Sequence, residues 1–550
     1  MLIFAETTEV DHELLGPQVR SGLASSVCHF IIPSNQASAM KKTLLFASLA
    51  LCFALGQLQA QPSRYLDEVF EEVELSTDVV YGTNITILLI YQGFPPVPQP
   101  LRADVYEPAG DTAAQRPLAI LTHAGNFLPK TLFSGRLGSK DDSCLVYLAH
   151  QLAQRGYVVA VMGNRLGWNP VDADTTIRRF ELANAMYRGI QDVHTCVRFF
   201  KKHAAEYRVH PEKIMVWGDG SGGELALSAA ALDSYEAWRR PPFTMNIPPF
   251  EMVQDSVNGD IFATSAGVVP PGYPFFTAGD TLCLPNHLGY DSDFQLAVSM
   301  GGNIIDTAWI QPGAPPMIAF QALPNQVAAY DDCEFPPILV PLPPVHVYWH
   351  WLLFSTCGSL VTIRDVVSKG NNAVFAGLQH PGDFSEVANS RNDGFDGLFP
   401  LTSVPNASSN SHNTAPWRWW SEAAGPDSPP AELAKSYLDT MLAYVAPRAC
   451  MALGLDCANL TSAPTLPAPA SAPPIAFAPN PASGLTEARL PIATDRRGRL
   501  WLIDANGRRL RALETVGEQA TLDLHGLPAG VYFVRWSVGE QVFQGRVVLR

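Results

Sequence analysis

From Leu118 the chain alternates between near-continuous apolar runs and longer stretches in which apolar residues recur with helical spacing. LAILTHAG (118–125), YVVAVMGNR (157–165) and KIMVWGDG (213–220) are the apolar runs. SCLVYLAHQLAQRG from Ser143, a long amphipathic segment ending near His203, and SGGELALSAAAL from Ser221 are the helical stretches around them. A strand that is apolar along its whole length needs cover on both faces, and the intervening segments are long enough to supply it. The pattern therefore predicts an α/β domain, a mostly parallel sheet flanked by helices, over residues 61–458. After residue 482 the rhythm shortens: RLWLIDANGRRLRAL and ATLDLHGLPAGVYFVRWSVGEQVFQGRVVLR alternate apolar and polar positions around turn residues at Asp504-Ala505-Asn506-Gly507 and Gly539-Glu540. That rhythm predicts a small antiparallel β-sandwich over 482–550. The Pro/Ala/Ser-rich stretch 459–481 between the two has no means of packing a core and reads as an extended linker.

Composition narrows the classes. The 550 residues are 47% hydrophobic and 16% charged, ample for buried cores and too apolar for a mainly disordered chain. At about 150 residues per domain the length allows three to four domain-sized units. With 52 acidic and 37 basic residues the formal charge is −15, which sets aside a nucleic-acid partner, since phosphates call for a Lys/Arg surface. Met40-Lys41-Lys42 followed by TLLFASLALCFALGQLQA has the three-part layout of a secretory signal peptide over 40–60, with cleavage expected after Ala60. Residues 1–39 lack periodicity and read as a spurious extension upstream of the true start. No later run of eighteen or more apolar residues is uninterrupted; the richest, from Pro336, is broken by prolines, so no transmembrane segment is expected in the mature chain. Beyond the leader stand Cys144, Cys196, Cys283, Cys333, Cys357, Cys450 and Cys457. Export permits disulfides, and the short loop between Cys450 and Cys457 makes them the expected pair. Neither CxxC nor a zinc-type His/Cys spacing occurs, so no metal and no cofactor are expected.

KIMVWGDGSGGELALSAA resembles the strand, tight turn and helix of the α/β-hydrolase family, in which a serine nucleophile stands above the sheet between glycines. His123-Ala124-Gly125-Asn126-Phe127 is similar to the family's oxyanion loop, and the stretch from Tyr187 to Ile214 resembles the helix and connection that precede the turn in secreted carboxylesterase-like members. The resemblance spans about Asp104 to Pro400. It implies an esterase-like fold, with backbone N–H groups around Gly125, Asn126 and Ser221 facing a developing oxyanion. Pro479-Asn480-Pro481, the DANGR hairpin and LHGLPAGVYFVR resemble the C-terminal sorting domain of type IX secretion cargo. That likeness implies the secretion machinery as a partner, passage through the periplasm, and a secreted or cell-surface destination.

Register against the family raises a difficulty. Family members read strand, Gly, acidic residue, Ser, Ala, Gly, Gly, whereas Trp217-Gly218-Asp219-Gly220-Ser221-Gly222-Gly223 puts Gly220 at the nucleophile position and Ser221 one place late. Where relatives carry the triad's aspartate, after the strand in PPMIAFQALPNQ, this chain has Asn325, an amide that orients an imidazole without stabilising its charge; Asp331 or Asp332 from a shifted loop is the substitute. His380, after NNAVFAGL, a strand-like run late in the domain, is the expected general base. His123 reads as structural, Asp192 as the partner of an arginine one helical turn away such as Arg188, and Trp417, Trp419 and Trp420 as packing or as a platform for sugar or aromatic groups.

Two functions of different class follow. One is an active serine esterase using Ser221, His380 and Asn325 on a small-molecule or glycan ester, with carbohydrate and feruloyl esters as variants. The other is a pseudoenzyme that keeps the pocket, has lost the nucleophile, and serves as a secreted binding protein. Gly220 and Asn325 together favour the second.

Overall fold

The computed structural model describes residues 63–550 apart from 134, 241, 247–248, 324–329, 334–353, 355, 381–383, 403–413, 422–427, 458–460, 463–474, 504–508 and 539–540. The expected extension, the signal peptide, Asn325, most of the linker, the DANGR turn and Gly539-Glu540 lie outside the described residues.

Eight strands form one sheet: β1 (Val73–Thr86), β2 (Val97–Pro108), β3 (Arg116–Thr122), β4 (Val158–Met162), β5 (Val209–Asp219), β6 (Leu296–Met300), β7 (Met317–Leu323) and β8 (Leu398–Thr402). Their spatial order is β1-β2-β4-β3-β5-β6-β7-β8. β3 to β8 run parallel, while β2 is antiparallel to both β1 and β4. The three apolar runs of the sequence are β3, β4 and β5, buried through their lengths apart from the first turn of β5. Helices α1 (Ser143–Gln154), α2 (Thr175–Lys202), α3 (Ser221–Ala231), α4 (Ser359–Ser368) and α5 (Ala431–Ala452) flank this sheet, and apolar clusters form on its two faces. The mostly parallel sheet flanked by helices is as the apolar pattern predicts; β1 and β2, with their mixed exposure, carried no clear signal.

α2 departs from the amphipathic reading. It is buried from Phe180 to Lys201, polar residues included. Its polar face is covered by the chain between 240 and 295, whose carbonyls accept from it: Asn184 donates to Met252 O (2.8 Å), Tyr187 to Gly259 O (2.9 Å) and Gln191 to Asn258 O (2.8 Å). Asp192 is fully buried and pairs with Arg165, on the loop after β4, and not with Arg188, which instead donates to Gly167 O (2.7 Å). NNAVFAGL is also not a strand: Asn371–Phe375 is a 3₁₀ helix, and only Leu378–Gln379 extends, pairing with Thr461–Ser462 outside the main sheet.

Cys450–Cys457 is a disulfide, as its spacing suggests, and Cys333–Cys357 is a second; Cys144, Cys196 and Cys283 are free and buried. The C-terminal region forms two antiparallel sheets, of three strands (Ala476–Ala478, Leu485–Arg489, Gln519–Asp523) and four strands (Arg497–Ile503, Arg509–Val516, Gly530–Val538, Gln541–Leu549). Trp536 is buried here and donates to Thr515 (2.8 Å). Asn480 bonds both Arg546 O and Val548 N, tying the head of the domain to its last strand. No described helix is long and apolar enough to cross a membrane.

Two predictions concern α2. Asp192→Ala strands the buried Arg165 guanidinium and is expected to lower stability by about 3–5 kcal/mol, read as a shift in urea midpoint. Glu181 accepts from Asn169 N, and burial pushes its carboxyl up to about 7 against the opposing pull of that N–H and of Arg188. The fold then binds a proton that the unfolded chain releases, so this group's contribution to stability falls as pH rises from about 4.5 to about 7. Glu181→Gln is expected to match the wild type near pH 4.5 and to gain on it up to about pH 8, followed by thermal melts across that range.

Candidate functional site

β5 ends at Asp219, the chain turns at Gly220, and α3 begins at Ser221. Gly220 has φ +54° and ψ −118°, a left-handed conformation in which a side chain would be strained, and its N–H donates to Met300 O on β6 (2.8 Å). Such a bend between a central strand and a helix lifts its apical residue above the carboxyl ends of the strands. The close approach of α3 to β3 explains the glycines that follow: a Cβ on Gly222 would come within 2.4 Å of Thr122 O. Gly220 therefore occupies the apex, and Ser221 is the first residue of the helix.

The space beside the apex is taken. A Cβ built on Gly220 would lie 2.4 Å from Nη2 of Arg418 and 3.3 Å from Cβ of Ala124. Arg418 is held there by a fork to Asp219, Nε to Oδ2 (2.7 Å) and Nη2 to Oδ1 (2.8 Å), and Trp417 Nε1 donates to the same Oδ1 (2.8 Å). Asp219 and Trp417 are buried, whereas 21% of the Arg418 side chain is exposed. Burial on its own would lower the Arg418 pKa, but the Asp219 carboxylate outweighs it and holds the guanidinium above its ordinary value. Cys144 Sγ sits 3.7 Å from Asp219 Oδ2; burial first and that carboxylate second raise its thiol pKa well above the ordinary range, so it stays protonated.

The oxyanion-type loop after β3 lies against the same turn. Gly125, Asn126 and Phe127 all have positive φ, and a Cβ on Gly125 would meet Gly138 Cα at 2.7 Å. The N–H of Asn126 donates to Ser221 Oγ (3.0 Å), so the amide expected to face a substrate oxygen is bound to the serine hydroxyl. Trp168 Nε1 donates to Asn126 O (2.8 Å) and fixes the loop from its other side. His123 is buried and its Nδ1 donates to Ala124 O (2.6 Å), a structural contact within the loop. Asp142, whose carboxyl pKa burial raises, accepts from Gly138 N (2.8 Å) and binds Lys130.

The structure thus joins Gly125, Asn126, Gly220 and Ser221 in one turn-and-loop assembly. Among the described residues no histidine is hydrogen-bonded to Ser221. His380 follows the two-residue strand Leu378–Gln379 and does not stand at the end of a central strand. The segment after β8, residues 403–413 with His412, lies outside the described residues, as does Asn325 after β7. Asp219 with Arg418 is the pairing that the sequence reading missed. Its signal was present in Ala415-Pro416-Trp417-Arg418-Trp419-Trp420, where the tryptophans drew notice and the arginine between them did not. No group of described residues has the make-up of a metal site.

Residues 103–257 match the BD-FAE family model, and residues 476–550 match the secretion system C-terminal sorting domain. No curated protein matches the chain. Similar solved structures include Thermogutta terrifontis esterase 2 phosphorylated by paraoxon, at 18% identity over 47% of this chain and 73% of that one, TM-score 0.26. The propionate-bound form of the Thermogutta terrifontis enzyme matches at 18% over 41% and 67%, TM-score 0.24. Brefeldin A esterase, a bacterial homologue of human hormone sensitive lipase, matches at 20% over 30% and 36%, TM-score 0.20. The chain therefore carries a BD-FAE domain of the esterase-like α/β-hydrolase kind and a type IX C-terminal sorting domain, which marks it for export to the cell surface or the medium.

Proposed function

We propose that this exported protein keeps the esterase scaffold without its attacking oxygen and works as a ligand-binding protein, not as a hydrolase. The observation that carries the reading is the Arg418 guanidinium beside a bare apex at Gly220. Acyl transfer by a serine needs an oxygen at the apex, a base about 2.6–3.2 Å from it, and amides left open for the oxyanion. Here the apical residue has no side chain, and the space a nucleophile would fill holds a cation tied to a buried carboxylate. Ser221 is buried and its oxygen accepts the Asn126 N–H, an arrangement that suits satisfying a helix start better than attacking a carbonyl. The expected ligand is a small molecule or glycan of the kind an esterase cleft accepts. For the route out of the cell, residues 40–60 are proposed as the leader, removed after Ala60.

The competing reading, an active esterase using Ser221, separates cleanly in one experiment. The full chain is treated with a fluorophosphonate probe and assayed on 4-nitrophenyl acetate beside Ser221→Ala, with circular dichroism confirming that both are folded. No labelling at Ser221 and equal, background-level turnover are expected. Labelling at Ser221, or turnover that the substitution abolishes, overturns the proposal.

A further inference from the structure

We infer that the cleft above Gly220 is a receptor for a small carboxylate carried on a ring, with Arg418 as the residue that recognises it. The inference rests on the non-hydrolytic reading above and names its ligand.

In the α/β-hydrolase layout the apical side chain marks the floor of the cleft, so whatever fills that space faces an incoming ligand. Here the floor is a guanidinium. Two of its nitrogens, Nε and Nη2, are committed to Asp219, while Nη1 makes no hydrogen bond among the described residues. The fork to Asp219 fixes the guanidinium plane in advance, so little side-chain freedom remains to be lost on binding. A carboxylate is the group whose geometry and charge such a planar donor fits best. Arg136 lies with its guanidinium carbon 5.5 Å from the ring centre of Trp420, on the loop whose Gly138 packs against Gly125. The nearby Asp142 accepts from Gly138 N and binds Lys130.

The ring preference comes from Trp419 and Trp420. Both are half-buried and directly follow Arg418, and Trp419 meets Tyr147 edge to face at 6.2 Å. Partly exposed indoles beside a cation offer stacking surface to an aromatic acid or to the apolar face of a sugar acid.

The test uses the full chain, with benzoate, glucuronate and methyl benzoate as probes in calorimetric titration and thermal shift. Benzoate or glucuronate is expected to bind and to raise the melting temperature, the stronger of the two naming the ring type, while methyl benzoate does neither. Arg418→Met combined with Asp219→Asn removes both charges together, so no buried carboxylate is left unpaired, and is expected to weaken acid binding at least tenfold. Gly220→Ser keeps both charges but drives Cβ into Nη2, and is expected to weaken binding as well. Absence of acid binding, an equal response to methyl benzoate, or full retention by the Arg418/Asp219 double variant overturns the inference. Turnover of 4-nitrophenyl acetate is followed in the same samples: turnover dependent on Ser221 defeats the function proposed above, whereas no turnover and no acid binding defeats this inference alone.

Discussion

The buried carboxylate of Asp219 is the fixed point of the cleft. It stands at the end of a central strand, where an isolated negative charge would be very costly, and it is stabilised by a bidentate arginine, an indole N–H and a neighbouring thiol. Trp417 and Arg418 come from a segment about two hundred residues further along the chain, so this one charge joins the turn after β5 to the chain beyond β8. The arginine reaches its place only because residue 220 has no Cβ. The absence of a side chain at the apex and the presence of the cation are therefore one structural fact, and neither could change alone without moving the other.

The same logic explains Ser221. Shifted to the first position of α3, its hydroxyl has become part of the scaffold: it takes up a backbone N–H of the neighbouring loop, and the loop is held from behind by Trp168. A donor that would face a substrate in an esterase is satisfied internally.

Much of this was legible in the chain itself. Three apolar runs gave three central strands because a strand covered on both faces leaves a continuous apolar signature, and the glycines of the turn announced the close approach of strand and helix. The register of Gly220 could be read by counting. What escaped were features whose cause lies far away in sequence. Arg418 has no local pattern that reveals its partner, Asp192 chose Arg165 over the nearer Arg188 because the loop after β4 folds over α2, and NNAVF looked like a strand although its apolar residues serve a 3₁₀ turn. His380 rested on that strand-like run and instead follows a 3₁₀ helix and a two-residue strand outside the main sheet. Trp536 faces inward with Tyr532, Val534 and Val538, at every second position of its strand.

The covering of α2 has a mechanical consequence. The chain between 240 and 295 is fastened to that helix through its own main-chain oxygens, by Asn184, Tyr187 and Gln191, and by Arg198, which reaches Asn286 O and Ser292. Peeling it away would expose several desolvated donors at once, each with no replacement partner until water arrived. This layer is accordingly a fixed cover over α2 and not a hinged flap.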